Sequence, residues 1–443
     1  MKRRSILLTG LGLGGLLLVA GAFGVVRSRD QAGSQIAVAA PGAASSLAHI
    51  SGATLDQTIA GLQDHLKVVA EDYVSWSTLG LAYVQQAKVT VNSDFYPRAE
   101  GALKASLAIN TGDNFLAYAG LASLANARHD FAAAKVYAQQ GLKINGYSDI
   151  LYGALSDAET QLGEYSAALT DVQKMVDLSP DTSSLSRASY TWELRGDIDQ
   201  ARTLMKQALD DAPTGSDRAF AMYYLGELAF NSGDTNGALT YYRSALEASP
   251  GDSASLAGKA KAEAVLGQSL TALDDYATVV QRTPEPSYLI EYGELLQSLG
   301  RTAEADKQYA IFGTTQQLFE ANGVAPDSTP SLFYADHGDP KRALSDAEKG
   351  IVTRPFAVMY DAYAWALHKN GRDAEALKAA DQAMQPGIKN ALFHFHKGMI
   401  EVSLGHLDEA RIELSTALEI NPNFNPLDVP IATATLTQLG EMP

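Results

Sequence analysis

Residues 233–250 read GDTNGALTYYRSALEASP, and this stretch decides the fold. Gly233 opens it, Ala238 follows five residues later, and Pro250 closes it twelve residues after the alanine. Between these markers Ala238, Tyr242, Ala245 and Leu246 fall at helical spacing and form one apolar stripe. Glycine takes the left-handed backbone that ends a helix without steric cost, and proline stops the helix that follows. A small residue early in that second helix lets an antiparallel partner approach closely. The segment therefore predicts the turn and second helix of a helical hairpin.

The same pieces return along the chain. The marker alanines are Ala99, Ala134, Ala168, Ala201, Ala238, Ala272, Ala305, Ala343, Ala376 and Ala410, at gaps of 35, 34, 33, 37, 34, 33, 38, 33 and 34 residues. A glycine stands five residues earlier in eight of the ten: Gly163, Gly196, Gly233, Gly267, Gly300, Gly338, Gly371 and Gly405. A proline stands twelve residues later in six: Pro180, Pro213, Pro250, Pro284, Pro355 and Pro422. One hairpin cannot cover its own apolar face, but a stack can, so the repeat predicts an all-α solenoid of about ten hairpins. The helix Leu55–Val69, apolar at Leu55, Ile59, Leu62, Leu66 and Val69, is expected to close one end, and Pro430–Leu439 the other.

Trp76–Tyr83 reads WSTLGLAY, which fits the pattern W-x2-L-G-x2-Y, and Leu225-Gly226 and Tyr292-Gly293 repeat its centre. On these residues the chain resembles the tetratricopeptide repeat (TPR) family over about residues 73–422. The resemblance implies a right-handed superhelix whose concave face, lined by the first helix of each pair, holds other proteins. Ala188-Ser189 and Lys259-Ala260 depart from Leu-Gly, which leaves helix boundaries open there. The stretch Leu332–Leu427 looks like the closing repeats of bacterial membrane-anchored envelope proteins of this family whose activity is unassigned.

Two irregularities interrupt the array. About seven extra residues, including Lys88–Asp94, lengthen the first hairpin's helices or form a loop, which a partner could contact. Farther on, Gln317 stands where a proline is expected, and Ile311, Phe312, Leu318 and Phe319 carry the helix to Asn322-Gly323. Pro326 and Pro330 then shorten the next helix. A bend is expected here, dividing an N-terminal array (54–322) from a C-terminal array with its capping helix (323–443).

The chain begins differently. Ser5–Val26 is uncharged and long enough to cross a bilayer as a helix, so residues 1–27 read as a transmembrane signal anchor. Lys2, Arg3 and Arg4 favour a cytoplasmic N-terminus, partly opposed by Arg27 and Arg29. Residues 28–53, rich in Ala, Gly and Ser, read as a flexible linker. The TPR body is then expected outside the cytoplasmic membrane. Cleavage at Ala20-Gly21-Ala22 would release it into the periplasm or medium, and the reverse orientation would make it a cytoplasm-facing regulatory protein. Gly10 and Gly14 form a GxxxG pair through which two anchors could pack.

Net charge is −17, and since residues 1–30 carry +4, the remainder carries −21. So acidic a body repels phosphate backbones, which argues against nucleic acid. The absence of cysteine excludes disulfides and thiol catalysis. Gly10, Gly12 and Gly15 satisfy G-x-G-x-x-G, but no strand precedes them, so no dinucleotide site is expected. No P-loop, G-x-S-x-G or H-E-x-x-H occurs, and His394 and His396 are spaced wrongly for a helical metal site. The sequence thus predicts a non-enzymatic protein without cofactor or metal.

The family pattern, carried over residue by residue, assigns the concave face to Tyr190 and Glu193, then Tyr223, Glu227, Phe230 and Asn231. Lys261, Ile290, Glu294, Trp365, His368, Phe395 and Met399 follow. The cluster of Lys, Arg and Asn with which some family members grip a peptide carboxylate is missing. Aromatics among acids suit a peptide or protein partner with apolar and basic character. The alternative for each aromatic is packing between repeats. For the whole chain it is a self-assembling envelope scaffold, oligomerising by its flank or through Gly10 and Gly14.

Overall fold

The computed structural model describes residues 52–441 apart from Val91, Asn322, Gly323 and Pro326. The expected anchor, the linker up to residue 51 and the boundary at 322–323 lie outside the described residues. A first helix, α1 (Gly52–Val68), precedes ten hairpins. The first five pair α2 (Tyr73–Thr90) with α3 (Phe95–Ile109), α4 (Phe115–Ala127) with α5 (Phe131–Ile144), α6 (Asp149–Gln161) with α7 (Tyr165–Leu178), α8 (Thr182–Glu193) with α9 (Ile198–Asp210), and α10 (Gly215–Asn231) with α11 (Thr235–Ala248). The next three pair α12 (Ser253–Val265) with α13 (Ser269–Arg282), α14 (Pro286–Ser298) with α15 (Thr302–Ala321), and α16 (Ser328–Asp336) with α17 (Pro340–Thr353). The last two pair α18 (Ala357–Lys369) with α19 (Asp373–Met384) and α20 (Ala391–Leu404) with α21 (Leu407–Ile420), and α22 (Asp428–Glu441) ends the stack. No strand occurs among the described residues.

The expected markers perform their expected tasks. All ten marker alanines are at most 1% exposed. In the WSTLGLAY stretch, a Cβ on Gly80 would lie 2.5 Å from Leu103 Cγ, so glycine is what lets α2 and α3 touch. Each of the six prolines falls two or three residues beyond a second helix. Asp130, Asp197, Asp234 and Asp339 cap second helices by accepting a backbone N–H.

At the ends, α1 buries Leu55, Ile59, Leu62 and Leu66. It stops one residue short of expectation, and Val69, assigned to the apolar face, is 44% exposed. The closing helix α22 starts at Asp428 and buries Ala432 and Leu439. The extra residues of the first hairpin mostly extend α2 to Thr90. As expected, α15 is long, at 20 residues, and α16 short, at 9. The core nevertheless runs across the junction between the two arrays: Phe312 and Phe333 lie 4.2 Å apart between ring centroids and share a cluster with Leu289.

A feature with no counterpart in the sequence reading joins distant hairpins. The eight predicted glycines all have positive φ, and His129 occupies the same turn position in the second hairpin at φ 60°. The superhelix coils so tightly that four of these turns meet the loop lying five hairpins farther on. His129 Nδ1 is 3.1 Å from the Ala325 carbonyl oxygen. Gly163 abuts Pro355, Gly196 abuts Gly387, and Gly233 abuts Ile420. The Arg354 guanidinium donates to Gln161 Oε1, and the Ala357 N–H donates to Tyr165 Oη at 2.7 Å. Leu194 packs with Ala383, Ile388 and Phe393 across the same line. Successive coils therefore meet edge to edge along a seam, which narrows the concave groove into an interior.

Candidate functional site

The first helices of the hairpins turn one face to this interior, and the polar side chains there are arranged by charge. Glu227 on α10 lies at the centre. Its carboxylate accepts from Tyr242 Oη at 2.5 Å and from Lys261 Nζ on α12 at 2.9 Å. Lys261 in turn sits 4.6 Å over the Phe230 ring. On α14, Glu291 accepts from Tyr276 Oη at 3.0 Å. Burial opposes the Lys261 charge, but Glu227 and Glu291 outweigh it and hold the ammonium above its ordinary value. Burial, reinforced by Glu227, pushes the Glu193 carboxyl up to about 7. Burial likewise pushes Glu291 to about 7 against the pull of Lys261, with Glu227 adding to the rise.

These two groups contribute to a pH dependence, in the same sense as the raised carboxyls of Asp428 and Glu159. A carboxyl titrating near 7 when folded and at 4.5 when unfolded binds more protons in the folded chain between those values. Their contribution to stability is therefore greatest below 4.5 and is lost as pH rises toward 7. We expect the melting temperature to fall between about pH 5 and pH 7.5, and Glu193→Gln with Glu291→Gln to flatten that slope, as scanning calorimetry would show.

The structure unites some of the sequence-predicted residues and separates others. Glu227, Lys261 and Phe230 form one contact group. Tyr223, Phe230 and Trp365 are 4%, 3% and 3% exposed, so these aromatics pack within the array and are not offered to a partner. Tyr223 lies against Tyr242, whose ring sits in the close approach between α10 and α11, and Trp365 is sandwiched between His368 and His396. Phe395 is likewise buried, and Met399 packs against the same cluster. Tyr190 joins the seam cluster, where burial raises its phenol. His368 Nδ1 lies 2.6 Å from Asp373 at the start of α19, and Asn231 is exposed at the last turn of α10.

Ile290 and Glu294 belong to a feature the sequence reading missed. A half-open pocket of about 190 Å³ lies between α14, α16, α18, α20 and the loop before α22. Its ionisable walls are Glu291, Glu294, Asp336, His396 and Asp428, with Ser287, Ser328, Thr329 and Asn425 as neutral polar groups, and apolar side chains such as Leu332 and Phe333 complete it. Asn425 Nδ2 donates to Glu294 Oε2 at 3.0 Å, and the Trp365 indole N–H donates to Asp336 at 2.8 Å. Burial, then Asp336, pushes the Asp428 carboxyl up to about 7. His396 is held from behind by Asp361, whose two oxygens lie 2.9 and 3.0 Å from Nδ1. Asp361 and His396 stand 35 residues apart, one residue out of register in consecutive units offset by 34, on the first helices of those units. No group of three His, Cys, Asp or Glu among the described residues is placed to hold a metal ion.

Comparison with known proteins agrees with this architecture. A tetratricopeptide repeat family model matches residues 195–253, and a second matches residues 391–424. The chain is a tetratricopeptide repeat protein. Similar solved structures include a TPR protein from Parabacteroides merdae, 18% identical, covering 59% of this chain and 99% of that one at a TM-score of 0.34. Another is the APC/C hetero-tetramer Cut9–Hcn1, at 15% identity, 86% and 81% coverage and a TM-score of 0.43. A third is the human IFIT1 dimer with m7Gppp-AAAA, at 14% identity, 74% and 76% coverage and a TM-score of 0.48. No curated protein matches the chain. TPR repeats generally mediate protein–protein interaction, and proteins of this fold are typically non-catalytic scaffolds. Among the described residues of this TPR protein, no helix is long and apolar enough to cross a membrane.

Proposed function

We propose that this TPR protein is a non-enzymatic adaptor that takes peptide or protein segments with apolar and basic residues along its interior face. Residues 5–26 tether it to the cytoplasmic membrane, with the repeat body on the outer side. The observation that carries the binding reading is the imbalance of charge inside the coil. Glu193, Glu227, Glu291, Glu294, Asp336 and Asp428 face inward, and the lysines among them are already paired, Lys261 with Glu227 and Lys369 with Asp336. Desolvated carboxylates attract a cationic partner and penalise an anionic one.

The test uses the full-length protein in nanodiscs. Fluorescent peptides that alternate leucine with lysine or arginine should bind, glutamate counterparts should not, and affinity should fall as salt rises from about 50 to 300 mM. Equal binding of acidic and basic peptides would overturn the proposal. Photo-crosslinking from position 294 in intact cells, resolved by protease protection of the adduct, reports the side of the membrane. An adduct protected from external protease in spheroplasts would overturn the orientation.

A further inference from the structure

The pocket between α14, α16, α18 and α20 holds groups of two kinds, and together they define a ligand. The first kind is a set of carboxyls at fixed positions. Asn425 pins Glu294, the Trp365 indole and the Lys369 ammonium, at 3.2 Å, hold Asp336, and Asp428 faces both from the first residue of α22. The second kind is the His396 ring, whose side chain is 1% exposed and lies flat on Trp365 at 4.2 Å. Its Nδ1 is occupied by Asp361, so the ring presents Nε2 to the pocket it lines. Nε2 has no hydrogen-bond partner among the described residues. Burial opposes the imidazolium, but Asp361 outweighs it and raises the proton affinity of the ring, and in the doubly protonated ring Nε2 is a donor facing the pocket.

An anion is repelled by Glu294, Asp336 and Asp428. A bare ammonium ion satisfies the carboxylates but sets its charge against the His396 N–H. Both demands are met by a group that carries a cation and, a side chain's length away, a carbonyl oxygen. A basic residue in an extended peptide is such a group. The volume agrees: about 190 Å³ is below the ~300 Å³ at which drug-sized ligand sites begin, and suits one long side chain.

We propose that this pocket is the specificity site for a single arginine or lysine of a bound peptide, its cation held by Glu294, Asp336 and Asp428 and its own carbonyl oxygen accepting from His396 Nε2. The proposal rests on the adaptor reading and narrows it to one subsite. Glu294 and Asp336 keep their shape and neighbours as amides, so the variants Glu294→Gln and Asp336→Asn preserve the fold while removing charge.

The full-length protein in nanodiscs is titrated calorimetrically with acetyl-Leu-Arg-Leu-amide, the lysine and citrulline versions of it, and free putrescine. A basic peptide should bind at least ten-fold more tightly than the citrulline peptide, and Glu294→Gln should erase that preference. Putrescine should bind more weakly than the peptide, because it offers nothing to His396. Putrescine binding as tightly as the arginine and lysine peptides would overturn the peptide as source. An arginine preference untouched by Glu294→Gln and Asp336→Asn but abolished by Glu193→Gln would overturn the pocket and leave the adaptor reading standing. No binding of any basic peptide would overturn both.

Discussion

Gly196→Ala is expected to open the coil while leaving the hairpins folded. Gly196 has φ 72°, and a Cβ there would overlap the carbonyl oxygen of Gly387 across the seam. Two costs combine: about 1–2 kcal/mol for placing an L side chain in the left-handed region, and about 1–3 kcal/mol for overpacking. The internal control is Gly371→Ala, since Gly371 has the same φ of 72° with nothing within 4 Å of the added carbon. Both variants should lose thermal stability. Only Gly196→Ala should enlarge the radius of gyration in small-angle scattering and raise hydrogen exchange at Tyr165 and Ala357. If the two variants scatter alike, the seam is not what holds the coils together.

Asp157→Ala should cost more than any change in the pocket. Asp157 on α6 and Arg187 on α8 form two parallel hydrogen bonds of 2.9 Å, and their side chains are 7% and 6% exposed. Arg187 also donates to the Ser183 hydroxyl at 2.5 Å. Cutting the carboxylate leaves a guanidinium without its counter-charge in a dry position, at a cost of about 3–5 kcal/mol. Replacing both partners with apolar residues of similar volume, Asp157→Leu with Arg187→Met, removes the charge as well as the pair and should recover most of that loss. Urea unfolding followed by circular dichroism measures both. A double variant no more stable than Asp157→Ala would show that the pair contributes geometry that packing cannot replace.

The hairpins were legible because each one solves the same local problem. A turn glycine, an alanine at the crossing and a proline stop are dictated within some twenty residues, so Ala238 and Gly233 predict their own surroundings. The seam was not legible, because its partners share no local constraint. Nothing near Gly196 distinguishes it from Gly371, and the loop that decides their difference lies some 190 residues away. The inward acids were read in part. Glu193, Glu227, Lys261 and Glu294 follow from the family pattern, whereas Asp336 and Asp428 enter the pocket only through the curvature of the coil. For the same reason, Tyr223 and Trp365 read as anchors although they serve as core. An aromatic at a concave position looks the same in sequence whether its neighbour is a partner or the next helix.

Most arrays of this kind grow and shrink freely, since each unit touches its neighbours alone. Edge-to-edge closure removes that freedom here. Excising the sixth hairpin would set the Gly196 turn against the stretch around Ile420, which Gly233 now meets, and would leave Gly233 facing nothing. Unit number has become part of the architecture, so this chain cannot be lengthened or trimmed in the middle by whole repeats without losing its register.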